Sequence, residues 1–214
     1  GTHNTAYGST ALYANTTGGA NVAVGSRAAE GNTTGASNTA VGYKAFISNT
    51  TGSSNSALGR DALISNTTGD ENVAMGYEAL SANTTASKNT AVGRGSMQNS
   101  TTGANNTSVG YEAMNANSTG ADNVAVGFKA LKANTTAGDN VAIGSQAMLV
   151  TTTGTDNVAV GTDALQSQTT GDDNTAVGKD AGLAITTGHD NTSIGSHANT
   201  TSTTSSGNVT IGQN

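Results

Sequence analysis

A chain of 214 residues with 34% apolar side chains, 3% aromatics, no Trp and no Cys lacks the bulky groups that fill an ordinary globular core, so any core must be thin. A charged fraction of only 10% and the absence of Pro set it equally apart from disordered chains. The net charge of -6, with its eight Lys and Arg dispersed, argues against a nucleic-acid surface, the missing Cys removes disulfides and thiolate chemistry, and no apolar run approaches the roughly 20 residues of a membrane helix.

An internal repeat organises everything else. Asn recurs at a spacing of 17 at Asn4, Asn21, Asn38, Asn55, Asn72, Asn89, Asn106, Asn123, Asn140, Asn157, Asn174, Asn191 and Asn208, without an insertion or deletion. Gly follows four residues after each, at Gly8, Gly25, Gly42, Gly59, Gly76, Gly93, Gly110, Gly127, Gly144, Gly161, Gly178, Gly195 and Gly212. With Asn as column 1, the unit reads N-[TV]-A-[VIL]-G-x-x-A-L-x-[AS]-N-T-T-G-x-D, and twelve full units result. Below, coil 1 starts at Asn4 and coil 12 at Asn191.

Along the unit, the column 1 amide sits at a turn, where it can cap its own coil and bond to the Asn of the next, forming a structural ladder. Columns 2 to 4, as in Val22-Ala23-Val24, predict a strand with columns 2 and 4 on one face, and column 4 is expected to point inward with Val24, Val41 and Leu58 in the core. Gly in column 5, and mostly in column 15, predicts corners that need positive φ or close backbone approach. Column 9, with Leu12, Phe46, Leu63, Leu80, Met97, Met114, Leu131, Met148 and Leu165, predicts a second strand and brings the large apolar residues to three per coil. All Asp, Glu, Lys and Arg residues fall in columns 6, 7, 10, 16 and 17, which are expected to face water. Ordering 17 backbones costs roughly 1–2 kcal/mol apiece against about 1.5–3 kcal/mol per buried large side chain, so no coil folds alone and stacking must supply the rest. The fold class is therefore all-β: a parallel β-solenoid, or β-roll, of about 12 turns, with residue i beside residue i+17 at ~4.8 Å and the chain a single solenoid segment over 1–214.

The strand motif resembles the YadA-like head repeat of trimeric autotransporter adhesins, N-S-V-A-I-G-x-x-S. The likeness lies in Asn123-Val124-Ala125-Val126-Gly127 with Ala130, and in Asn140-Val141-Ala142-Ile143-Gly144 with Ala147. Repeats of the form N-T-A-V-G-Y-x-A-L are also similar to those of phage tail fibres. The resemblance implies a left-handed roll, a homotrimer of parallel chains, and a place on a cell or virion surface within a longer fibre protein, attaching to a host protein or glycan. It carries no catalytic residue and no cofactor. This unit is longer than the usual one, and its Asn lies one residue nearer the Gly. Small residues in columns 3 and 8 are expected to let neighbouring chains approach closely.

Four further patterns invite chemistry. His3, His189 and His197 are the only His residues, and His189 beside Asp190 sits at a corner of a rod without an evident cleft, so no catalytic site is expected. Asp122, Asp139, Asp156, Asp173 and Asp190 stack in column 17, either as weak candidates to hold a cation or as turn carboxylates accepting backbone N–H bonds. Tyr43, Arg60, Tyr77, Arg94, Tyr111 and Phe128 follow one another in column 6, either as a self-satisfied stack or as a contact stripe. Thr in columns 13 and 14 suggests an ice-binding solenoid as the alternative function, although adjacent residues point oppositely and only one rank can face outward. The N-T-T and N-S-T runs at column 12, such as Asn15 and Asn117, also match the glycosylation acceptor pattern.

Overall fold

The computed structural model describes residues 1–213. Thirteen strands of three residues each, from β1 (Thr5–Tyr7) and β2 (Val22–Val24) to β13 (Val209–Ile211), form one parallel sheet whose spatial order is the chain order. Register never slips. Thr5 pairs with Val22, Val22 with Thr39, and so on in steps of 17 to Thr192 and Val209. The chain is a parallel β-solenoid, with no helix among the described residues.

The sheet faces the other way from the sequence expectation. Ala23, Ala40, Ala57 and the other column 3 residues are fully buried, whereas Leu58, Met75 and Ile143 of column 4 expose 44%, 41% and 40% of their surface. Alternation places columns 2 and 4 on one face but does not say which face is inside. The interior decides it, because a loop this short encloses space for only methyl groups under the strand. Column 8 likewise contributes buried Ala28, Ala45 and Ala62. One large side chain remains in most coils, in column 9, where Phe46, Leu63, Leu80 and Leu131 are completely buried, the exceptions being Ala29, Gly182 and Asn199. The three large apolar residues expected inside each coil are thus at most one, and the small residues of columns 3 and 8 close the coil rather than meet another chain.

Nor does column 9 lie on a second strand. Its residues adopt the left-handed region, as at Leu63 (φ 50°), Met97 (φ 51°) and Leu131 (φ 51°), as do columns 7 and 17 in nearly every coil. Such residues cost about 1–2 kcal/mol each relative to right-handed backbone. What offsets the cost is direction. Each left-handed residue turns its N–H along the solenoid axis, so that Lys44 N–H donates to Ser26 O one coil back (3.0 Å) and Phe46 N–H to Ala62 O one coil forward (2.9 Å). Hydrogen bonding between coils thereby continues around the corners without strand geometry.

The two glycine columns differ in cause. Gly127 has φ +141°, and a Cβ there would also lie 2.3 Å from Gly144 O of the next coil. Gly120, in column 15, has no positive φ, but its Cβ would stand 2.2 Å from Ala137 O. Ala86 and Ala137 occupy that same column, and the coils part locally to admit them. The Thr84–Thr101 and Thr135–Thr152 N–H···O bonds lengthen to 3.1 Å, and Thr85 and Thr136 make no equivalent of the bonds from Thr68 N–H to Thr84 O and from Thr119 N–H to Thr135 O. Coil 11 adjusts differently. Gly182 replaces the large column 9 residue, and Ile185 of column 12 turns inward beside Leu165 to fill the space, remaining 1% exposed.

Candidate functional site

Two internal amide ladders hold the coils in register. In column 1, Asn38 backbone N–H donates to Asn21 Oδ1 (2.9 Å) while Asn38 Nδ2 donates to Gly52 O (2.8 Å), and the pattern recurs through Asn191. In column 12, Asn32 Nδ2 donates to Asn15 Oδ1 (2.9 Å), Asn49 to Asn32 (2.6 Å), Asn66 to Asn49 (3.2 Å) and Asn83 to Asn66 (2.7 Å). This second ladder was not read from the sequence, where these residues only matched the glycosylation acceptor pattern. Asn32, Asn49, Asn66, Asn83, Asn117 and Asn134 are fully buried, which closes their amides to a modifying enzyme. The available signal was that column 12 never carries a charge in any coil.

The two threonine ranks, which lie at a bend, differ in what their hydroxyls do. Column 13 hydroxyls are spent on carbonyls one coil on, as from Thr33 Oγ1 to Thr50 O (2.8 Å) and Thr50 Oγ1 to Thr67 O (3.0 Å). Column 14, from Thr17 and Thr34 to Thr187, is exposed.

Column 6 forms a continuous stack. The Arg60 guanidinium lies 5.8 Å from the Tyr43 ring centre and 5.6 Å from Tyr77; Arg94 lies 5.6 Å from Tyr77 and 5.4 Å from Tyr111; Tyr111 stacks on Phe128 at 5.6 Å. Arg94 Nη1 also donates to the Tyr111 hydroxyl (2.8 Å), and Arg60 Nε to Asp61 (3.0 Å), which raises the Arg60 guanidinium above its ordinary value. The faces of Tyr77 and Tyr111 are thus covered by neighbours, leaving ring edges, guanidinium edges and hydroxyls toward solvent.

In column 17 the five Asp residues all sit in the left-handed region, with φ between 57° and 60°, a conformation that Asp tolerates better than most side chains. Asp122 Oδ1 accepts from Asn105 Nδ2 (3.1 Å). Among the described residues no group of three His, Cys, Asp or Glu side chains converges as a metal set.

His189 is exposed, and the His that does gain partners is His197. Its Nε2 lies 3.1 Å from Asp180 Oδ2, and its Nδ1 2.8 Å from Ser196 Oγ. Asp180 and His197 are vertical neighbours in column 7, a juxtaposition that the column map contained and the reading of adjacent residues overlooked. Such a chain can polarise the Ser196 hydroxyl. It stands on the open side of the rod with His197 44% exposed, where nothing shields a developing charge from water.

The outer face of the sheet is also apolar and without a partner in the chain. Column 4 aligns Val109, Val126, Ile143, Val177 and Ile194 in one exposed file, and column 2 supplies Val, Thr and, at Ser56, a single Ser beside it. Among the described residues no helix is long and apolar enough to cross a membrane. No protein family, curated protein or solved structure matches the chain.

Proposed function

We propose that the protein is a rigid, non-enzymatic fibre module: a left-handed solenoid that assembles as a parallel homotrimer on a cell or virion surface and serves attachment, as YadA-like adhesin heads and phage tail fibres do. The observation that carries this reading is the apolar file of column 4, repeated coil after coil on the outer face of the sheet. Monomeric proteins rarely expose contiguous apolar patches beyond a few hundred Å². A second and third copy are the occupants that fit best, because their files repeat at the same coil spacing and can match this one step for step when the chains run parallel. The column 6 stripe, one corner away from column 4, then lies beside the seam and offers Tyr and Arg edges to a host protein or glycan. Sedimentation of the 20.9 kDa chain tests the assembly. A trimer that falls to monomer in Val126→Asp/Ile143→Asp supports it, and a folded wild-type monomer rejects it.

Ice binding is the second reading, favoured by the exposed Thr rank of column 14 at regular coil spacing. Thermal hysteresis of the purified chain, abolished when Thr68, Thr102 and Thr119 are replaced by bulky Lys, would select it over the fibre.

A further inference from the structure

The column 12 ladder stops at Ser100, and the groups left there converge on one place. In coil 5, Asn83 Nδ2 donates to Asn66 Oδ1 (2.7 Å) and to Ala86 O (3.0 Å). Exchanging its amide atoms would forfeit both bonds, so Asn83 Oδ1 must face coil 6, where it is buried and has no partner. Ser100 Oγ, fully buried in coil 6, has none either. From coil 7, Asn117 Nδ2 donates to Gly120 O (3.0 Å) but not to coil 6, the direction in which the Nδ2 groups of Asn32, Asn49, Asn66 and Asn83 donate. Gly103 O accepts from Asn89 Nδ2 (2.9 Å) but lacks the second amide donor that reaches Gly35 O from Asn32 and Gly52 O from Asn49.

We infer that the step between Asn83 and Ser100 is a binding site for a single internal water molecule. The carboxamide that Ser100 lacks is about the size of one water, ~30 Å³. A water there donates to Asn83 Oδ1 and Gly103 O and accepts from Asn117 Nδ2 and the Ser100 hydroxyl, four partners in a polar enclosure where two to four suffice. Orphaned buried polar atoms supply the driving force, since each such atom is costly to leave unpaired. The Asn ladder ends at Thr151, above Asn134 Oδ1, which is also unpartnered, and Gln168, Ile185 and Ser202 follow it in column 12. Thr nearly matches Asn in volume, which leaves less space at that step than Ser100 does, and the Thr151 hydroxyl donates instead to Gln168 Oε1 of the next coil (3.5 Å). Of the two Ser residues in column 12, Ser202 is half-exposed, so the small buried side chain and the orphaned acceptor coincide only at Ser100.

A crystal structure of the chain at high resolution, together with water-oxygen magnetic relaxation dispersion in solution, tests the inference. The wild-type map should contain a density peak about 3 Å from both Asn83 Oδ1 and Gly103 O. Ser100→Asn should replace that peak with its own amide, lose one long-lived water per chain and raise the unfolding midpoint. Ser100→Thr should lose the water without raising the midpoint. A wild-type map with no peak at that position, or a long-lived water count equal to that of Ser100→Asn, overturns the inference. Should a variant fail to fold, the wild-type map decides alone.

Discussion

Coils 3 to 8 and coils 9 to 12 share one backbone and differ in almost every optional side chain. The first region carries the Tyr–Arg–Phe stack, from Tyr43 to Phe128, whereas column 6 of the second holds Ser145, Thr162, Lys179 and Ser196. Column 12 is chiefly a buried Asn ladder in the first region and becomes Thr151, Gln168, Ile185 and Ser202 in the second. Yet strand pairing keeps the same step of 17 throughout, from Thr39↔Ser56 to Ser193↔Thr210. The comparison separates two kinds of column. Columns 1, 3, 5, 8 and 9 shape the coil, while columns 6, 12 and 17 accept local solutions provided that volume and hydrogen bonds are met.

If that division holds, the largest effect should be indifferent to region. Gly76→Val in the first and Gly161→Val in the second should each cost about 3–5 kcal/mol, combining backbone strain with collision against the next coil. Parallel thermal melts check this, and a loss in one region only would break the equivalence. Truncating the single large core residue comes next. Leu63→Ala and Leu165→Ala should each cost about 2–5 kcal/mol, whereas Val126→Thr, on the outer face, should leave folding within about 1 kcal/mol and weaken only self-association. Equal destabilisation by the inner and outer substitutions would contradict the orientation of the sheet.

Smaller effects should distinguish the regions. Asn49→Ala orphans Asn32 Oδ1 and should cost about 1–3 kcal/mol, while Thr151→Asn supplies a partner to Asn134 Oδ1 and should be neutral or stabilising by about 1 kcal/mol in chemical denaturation. Arg60→Ala, which opens the stack between Tyr43 and Tyr77, should cost no more than about 1 kcal/mol at this exposure. The smallest effect belongs to Glu112. Its carboxyl is held below the usual range, first by the hydrogen bond from Lys132 (2.8 Å), so its contribution is present above the unfolded-state pKa and fades as pH falls through the lowered folded value. Because the pair keeps solvent contact on both sides, with 22% of the Glu112 and 37% of the Lys132 side chain exposed, Glu112→Gln should cost no more than about 1 kcal/mol at pH 7.

The sequence alone determined the repeat, the parallel stacking in steps of 17, the glycine corners and the solvent-facing charge columns. Each is a periodicity or a backbone requirement, and these are local properties that the order of residues carries directly. Three matters waited for the tertiary structure. Which side of Val22-Ala23-Val24 is inside depended on the width of the enclosed space, and only the closed coil shows that it admits Ala and refuses Val. Whether column 9 lies on a strand depended on where its N–H groups find acceptors, and Leu63 finds one in the next coil through a left-handed turn. That Asn49 is a buried rung rather than an exposed acceptor, and that Asp180 meets His197, are relations across a full turn of the solenoid. Residues so placed are distant in the chain and adjacent in space, so their chemistry belongs to the fold and not to any stretch of sequence.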